Sequence, residues 1–127
     1  GAHVSQIMDS SLQTHVLSHW VREKGAITLE EAVKMLTLEP ATAWDFKDRG
    51  LLKEGYAADI IVFDEEKVEP LMPVVKTDLP AGERRLVQKA EGISITIVGG
   101  EVLMRDGEHT GVYPGKLLRG PLAQKAG

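Results

Sequence analysis

Apolar positions repeat with a helical period in the first third of the chain and with strand character after it. From Ser11 to Lys24 the apolar residues are Leu12, Val16, Leu17, Trp20 and Val21, a stripe at i, i+4, i+5, i+8 and i+9 that predicts a helix. Gly25 suits the position just past its end, where glycine takes the left-handed conformation readily. Thr28-Leu29-Glu30-Glu31 has the spacing of a capping box. The helix it opens is expected to bury Leu29, Ala32, Val33 and Leu36, with Glu30 and Glu31 in the first turn favoured by the helix dipole. Thr37 is a candidate cap for a third, short helix with Pro40 in its first turn. That helix carries Ala41, Ala43 and Trp44 and stops before Gly50. Trp20 and Trp44 are core candidates at helical positions.

Beyond Gly50 the pattern changes. Lys53-Glu54-Gly55 reads as a turn, and Asp59 to Asp64 encloses Ile60-Ile61-Val62-Phe63, a β-branched and aromatic run that predicts a strand. Four successive apolar residues suggest that it is covered on both faces. Residues 65–92 hold three prolines and no clean period, and are expected to form a long surface excursion with one short strand near Leu71 to Val75. Ile93 to Val98, Gly99-Gly100 and Glu101 to Arg105 predict a β-hairpin whose turn needs positive φ at both glycines. Asp106-Gly107 is a second turn, followed by a tail punctuated by Gly111, Pro114, Gly115 and Gly120. The fold class expected is α+β. About three strands is close to the minimum for an independent sheet, so the chain is expected to pack against a larger body or to self-associate.

Composition narrows the function classes. The chain has 127 residues, 43% hydrophobic and 27% charged, a globular balance. The net charge of −4 comes with no basic stripe, which argues against nucleic acid as a partner. No apolar run approaches a membrane span and no signal peptide is visible. Cysteine is absent, which removes disulfides and thiolate chemistry and fits the cytoplasm. The first residue is Gly1 rather than Met, from which a processed or truncated chain is expected.

Several segments carry a resemblance. Leu29 to Thr37 with Glu39-Pro40-Ala41, and Asp48 to Asp64 with its Gly50-Leu51, Gly55 and Ala58-Asp59 spacing, are similar to the closing helices of amidohydrolases and to the stretch where such chains leave the barrel for a small β-sandwich. Asp106 to Gly120, with Gly107-Glu108-His109-Thr110-Gly111 and Pro114-Gly115, resembles the end of the N-acyl-D-amino-acid deacylase (D-aminoacylase) branch, and Gly1-Ala2-His3-Val4 resembles a loop after the last barrel strand. Gly99 stands where the pattern has Asn, and Lys116 where Arg is common. The resemblance implies that residues 1–48 are closing helices of a (β/α)₈ barrel domain. Residues 49–127 would then be the C-terminal part of a small β-sandwich. It also implies a parent hydrolase of non-peptide carbon–nitrogen bonds that uses one or two divalent metals, zinc above all, at the barrel mouth. The family's His-x-His pair is absent, and its catalytic Asp is expected just upstream of Gly1. The chain alone is therefore expected to be inactive, with the remainder of the barrel as its partner.

The candidate residues are few. The resemblance makes His3, on what would be a mouth loop, the candidate for substrate contact. His15 and His19 have the i, i+4 spacing of metal ligands, but no carboxylate or third histidine is seen at a supporting position, so they read as a helical edge. His109 reads as a tail contact with the barrel surface. Asp59 reads as a structural carboxylate bonded to turn amides. Arg84-Arg85 reads as a solvated basic pair. No catalytic residue and no metal ligand is assigned. The alternative function is a free-standing, non-catalytic binding or assembly module derived from an amidohydrolase.

Overall fold

The computed structural model describes residues 10–118. Its first element begins as an α-helix, α1 (Leu12–His15), and continues as a π-helix over Val16–Glu23. Val16, Leu17 and Val21 turn inward, whereas Trp20 is 47% exposed, which corrects its placement in the core. Gly25 follows with φ +56, and the Ala26 amide donates to the Trp20 carbonyl at 2.9 Å, which closes the helix end.

Helix α2 (Leu29–Leu36) starts from the expected capping box. The Glu31 amide donates to Thr28 Oγ1 at 3.2 Å, and the Thr28 amide donates to Glu31 Oε2 at 2.9 Å. Ala32 is fully buried at the contact with the π-helix, but Val33 faces outward. Helix α3 (Leu38–Ala43) packs on α2 through the buried Ala41. Thr37 precedes α3 without capping it through its side chain, because its hydroxyl donates back to the Val33 carbonyl at 2.6 Å. Trp44 lies past the last turn of α3, at φ −93 and ψ 6, and is 73% exposed rather than in the core.

The β half is a long, interrupted antiparallel hairpin with a second hairpin joined to it. Strands β1 (Ile60–Phe63), β2 (Glu69–Pro70) and β3 (Val74–Lys76) run outward. After a 3₁₀ turn at Pro80–Gly82, β4 (Arg85–Val87), β5 (Ala90–Glu91) and β6 (Ile93–Val98) return along them. The pairs Ile60 with Ile97, Glu69 with Glu91, and Val74 with Val87 nest within one another. Residues 65–92 are therefore a paired β arm, not an irregular excursion with one strand. Strand β6 then turns through Gly99-Gly100, at φ +58 and +87, into β7 (Glu101–Arg105). Asp106-Gly107 leads in the same way into β8 (Glu108–His109). The main sheet has the order β1-β6-β7-β8.

Strand β1 is thus an edge strand. Ile61 and Val62 are exposed, so the expectation that it is covered on both faces does not hold within these residues. Among the described residues the fully enclosed apolar side chains are Ala32, Ala41 and Val68. That is a small core for this length, and large apolar side chains such as Leu52, Met72 and Val75 lie in the open.

Two joints hold the layers together. Arg22 reaches from the π-helix to the β arm: Nη1 donates to the carbonyls of Glu65 at 3.1 Å and Val68 at 2.9 Å, and Nη2 to Glu69 Oε2 at 3.3 Å. At the bend of the long hairpin the backbone of Gly92, at φ +77, passes directly against Val68; a Cβ there would lie 2.4 Å from the Val68 nitrogen. No helix among the described residues is long and apolar enough to cross a membrane.

Candidate functional site

His3 lies outside the described residues. The other sequence candidates fall in three separate places.

Asp59 stands before β1, where the chain from Gly50 meets the β6–β7 turn. Its Oδ1 accepts from the Gly99 amide at 2.8 Å, and its Oδ2 pairs with Arg49 Nη1. The Gly100 amide donates to the neighbouring Ala58 carbonyl at 3.0 Å. The carboxylate is fully engaged in fixing a turn, which is the structural role read from the sequence. Arg49 Nε is buried and makes no hydrogen bond, so Asp59 carries most of the compensation for this guanidinium.

His109 sits in β8 at the last sheet edge. Its Nδ1 accepts from the Gly111 amide at 2.9 Å, and its ring lies against Tyr113 with centroids 4.7 Å apart. It organises the turn into the tail.

His15 and His19 project from the same side of the first helix. Their rings stack with centroids 4.9 Å apart and planes 11° from parallel. A carboxylate does support them, contrary to the sequence reading: Glu23 Oε2 lies 2.8 Å from His19 Nδ1. The signal was present, since Glu23 stands four residues beyond His19 on the helix. Arg85 also departs from its reading as a solvated group. Its Nε and Nη2 donate to Asp78 at 2.7 and 2.9 Å, a bidentate pair across the tip of the arm.

These places do not converge. Among the described residues no group of three or more His, Asp or Glu side chains is placed to hold a metal ion. A hydrolytic metal centre needs several such ligands around an open position, so these residues do not fit the centre of a metal-dependent hydrolase. A cleft of about 200 Å³ between the π-helix and the arm is lined by Leu17, Val21, Leu29 and Val68, with Arg22 already committed to the backbone carbonyls. It is a packing seam between layers. The residues missed in the sequence, Arg22 above all, act at joints of this kind, and a lone arginine on a helix gives no sequence signal for a partner forty-odd residues away.

Comparison with known proteins agrees with this scaffold. The sequence model of the amidohydrolase family matches residues 2–104. An N-acyl-D-aspartate deacylase from Alcaligenes xylosoxydans xylosoxydans is 36% identical over 106 residues, which are 83% of this chain and 19% of that protein. A D-aminoacylase from the same organism is 32% identical over 103 residues, 81% of this chain and 19% of that protein. The chain thus spans about a fifth of the length of these relatives. Among solved structures, a D-aminoacylase mutant in complex with copper chloride matches with a TM-score of 0.66 at 31% identity, over 84% of this chain and 20% of that one. The chain therefore belongs to the amidohydrolase family, in its D-aminoacylase branch.

Proposed function

We propose that this chain is the C-terminal supporting part of a hydrolase that acts on carbon–nitrogen bonds other than peptide bonds, and that the intact protein deacylates N-acyl-D-amino acids with a divalent metal, zinc in the first place. In this reading residues 1–48 close the barrel domain and residues 49–127 belong to the small β-sandwich. The metal ligands and the catalytic carboxylate lie in the remainder of the protein, which is also the partner of the exposed apolar faces. His3 contacts substrate from a loop at the barrel mouth. The 127 residues alone are inactive. The absence of cysteine suits a cytoplasmic protein.

One observation carries the reading. The chain is similar to deacylases of this branch over four fifths of its length, and two of its β-half carboxylates serve joints: Asp59 on Gly99 and Arg49, Asp78 on Arg85. These residues stabilise and position the fold.

The test is hydrolysis of N-acyl-D-amino acids in the presence of zinc by two proteins: this chain, and the same chain extended by the upstream coding sequence. The extended protein is expected to turn over and the chain alone is not. Turnover by the chain alone that is lost in His3→Ala or His15→Ala would overturn the proposal. So would a start codon immediately upstream of Gly1.

A further inference from the structure

We propose that His15, His19 and Glu23 form a surface site for a borderline divalent transition-metal ion, with the two imidazoles as ligands and Glu23 orienting one of them. The remaining coordination positions are filled by water, so the site needs no third protein ligand.

The argument begins with the tautomer of His19. A carboxylate only accepts hydrogen bonds, so the 2.8 Å contact with Glu23 Oε2 places the proton on His19 Nδ1. In the neutral ring that leaves the lone pair on Nε2, at the edge away from Glu23. Carboxylate-to-histidine contacts of this kind fix the orientation of metal-binding imidazoles and raise their basicity. His15 supplies the second ligand. Its ring lies beside that of His19 at 4.9 Å and nearly parallel, one turn away on the same helix face. His15 is exposed, and a rotation about its side-chain bonds brings its lone pair towards the same ion. The helix makes this arrangement. His19 falls in the π-helical segment and His15 is the residue that opens it; π-helical turns are rare and frequent at functional positions.

The ion class follows from the ligands. Imidazole nitrogen suits copper, nickel and zinc, whereas magnesium and calcium require oxygen ligands. Copper is the strongest binder of the divalent series and is the suitable probe.

Trp20 reports on the site directly, because its ring meets that of His19 edge-on at 5.1 Å. The experiment is a Cu²⁺ titration followed by tryptophan fluorescence. It uses the full chain carrying Trp44→Phe, which leaves Trp20 as the fluorophore, and His3→Ala, which removes competition from that histidine. Saturable quenching at one ion per chain is expected, with none from Mg²⁺. His15→Ala and His19→Ala should each raise the half-saturating concentration at least about tenfold, and Glu23→Gln by about tenfold or more. Circular dichroism confirms that each variant keeps its helix; His15→Ala, at an exposed position, is the decisive variant. Quenching that does not saturate, or that survives unchanged in both histidine variants, would overturn the proposal. Because the readout is fluorescence of the chain itself, its failure is distinct from failure of the deacylase reading.

Discussion

The Asp59 carboxylate accepts the Gly99 amide at 2.8 Å across forty residues of sequence, and this bond closes the β6–β7 turn onto the start of β1. The same carboxylate holds Arg49, whose Nε is buried without a hydrogen bond and has Asp48 Oδ1 3.8 Å away. Asp59→Ala removes both interactions and leaves the guanidinium only the longer ion pair with Asp48, at 3.8 Å. The side chain of Asp59 is 37% exposed, so water recovers part of the loss. We expect a cost of about 1–2 kcal/mol, read as a lower urea midpoint. Asp59→Asn keeps an oxygen for the Gly99 amide and should lose less than half as much. Equal losses in the two variants would show that the ion pair with Arg49, and not the turn bond, carries the joint.

Gly92 and Gly25 both have positive φ but differ in surroundings. At Gly92 an added Cβ meets the Val68 backbone at 2.4 and 2.5 Å, atoms that cannot swing aside. At Gly25 nothing lies within 4 Å. Gly25→Ala therefore pays only the left-handed penalty, about 1–2 kcal/mol. Gly92→Ala should cost roughly 4 kcal/mol or more, separate the arm from β1, and expose Val68. Comparing the two by thermal unfolding isolates the contact from the dihedral.

Much of this was legible locally. Gly99-Gly100 and Asp106-Gly107 prescribe their turns by backbone conformation alone, and Thr28 with Glu31 prescribes the start of α2; each needs only its immediate neighbours. Of the arm only the short strand near Leu71 to Val75 was legible, and β3, exposed along its length, carries no in–out alternation to show that it has a partner. Its existence depends on Leu86 and Val87 returning to pair with Val75 and Val74. The π-helix left a trace that a helical-period reading absorbs: Leu12 with Leu17, and Val16 with Val21, are five residues apart, the π spacing. Glu23 stands four residues beyond His19 yet was not read as its support, because the contact depends on side-chain direction, which spacing alone does not settle.

Two surface carboxylates are held below their ordinary range by ion pairs and contribute to the acid limb of stability. The Lys67 ammonium hydrogen-bonds to Asp64, with help from the Glu66 amide, and holds that carboxyl below its ordinary 3.8. The Arg85 guanidinium does the same for Asp78. A carboxyl whose folded pKa is depressed contributes stability above its unfolded value, and loses it as pH falls through the folded one. Melting temperature should therefore fall below about pH 4. The fall should be shallower in a protein carrying both Asp64→Asn and Asp78→Asn. Lys67 is raised above its ordinary 10.5 by the same bond to Asp64, so its contribution is complete below that value and is lost only above it. Between pH 5 and 9 these pairs should leave stability flat.

The capping box of α2 offers a separate, local test. Thr28→Ala removes the acceptor of the Glu31 amide, and Glu31→Ala removes the reciprocal bond to the Thr28 amide. Each should cost about 1 kcal/mol, and the double variant less than the sum, because the two bonds share one geometry. A double-mutant cycle on urea midpoints gives the coupling.

The open edge of the main sheet decides how the isolated chain behaves in solution. Strand β1 pairs with β6 on one side only, and Ile60-Ile61-Val62-Phe63 contains no charge, proline or bulky polar residue to discourage another strand. Ile61 is 56% exposed and Val62 45% exposed, with Asp59 and Asp64 as the nearest charges at either end. An uncovered apolar edge of this kind templates pairing with a second copy. We expect sedimentation velocity to show association that grows with chain concentration, together with binding of an apolar dye. Ile61→Lys places a charge on the edge without touching the Asp59 or Gly92 joints and should shift the distribution towards monomer. The arm supplies the control: Val75→Lys changes an equally exposed apolar residue on β3, away from the edge of β1, and should alter association less. If Val75→Lys acts more strongly, the arm and not the edge of β1 is the adhesive surface. A parent chain that stays monomeric and binds no dye at high concentration would mean that the 127 residues cover their own apolar faces.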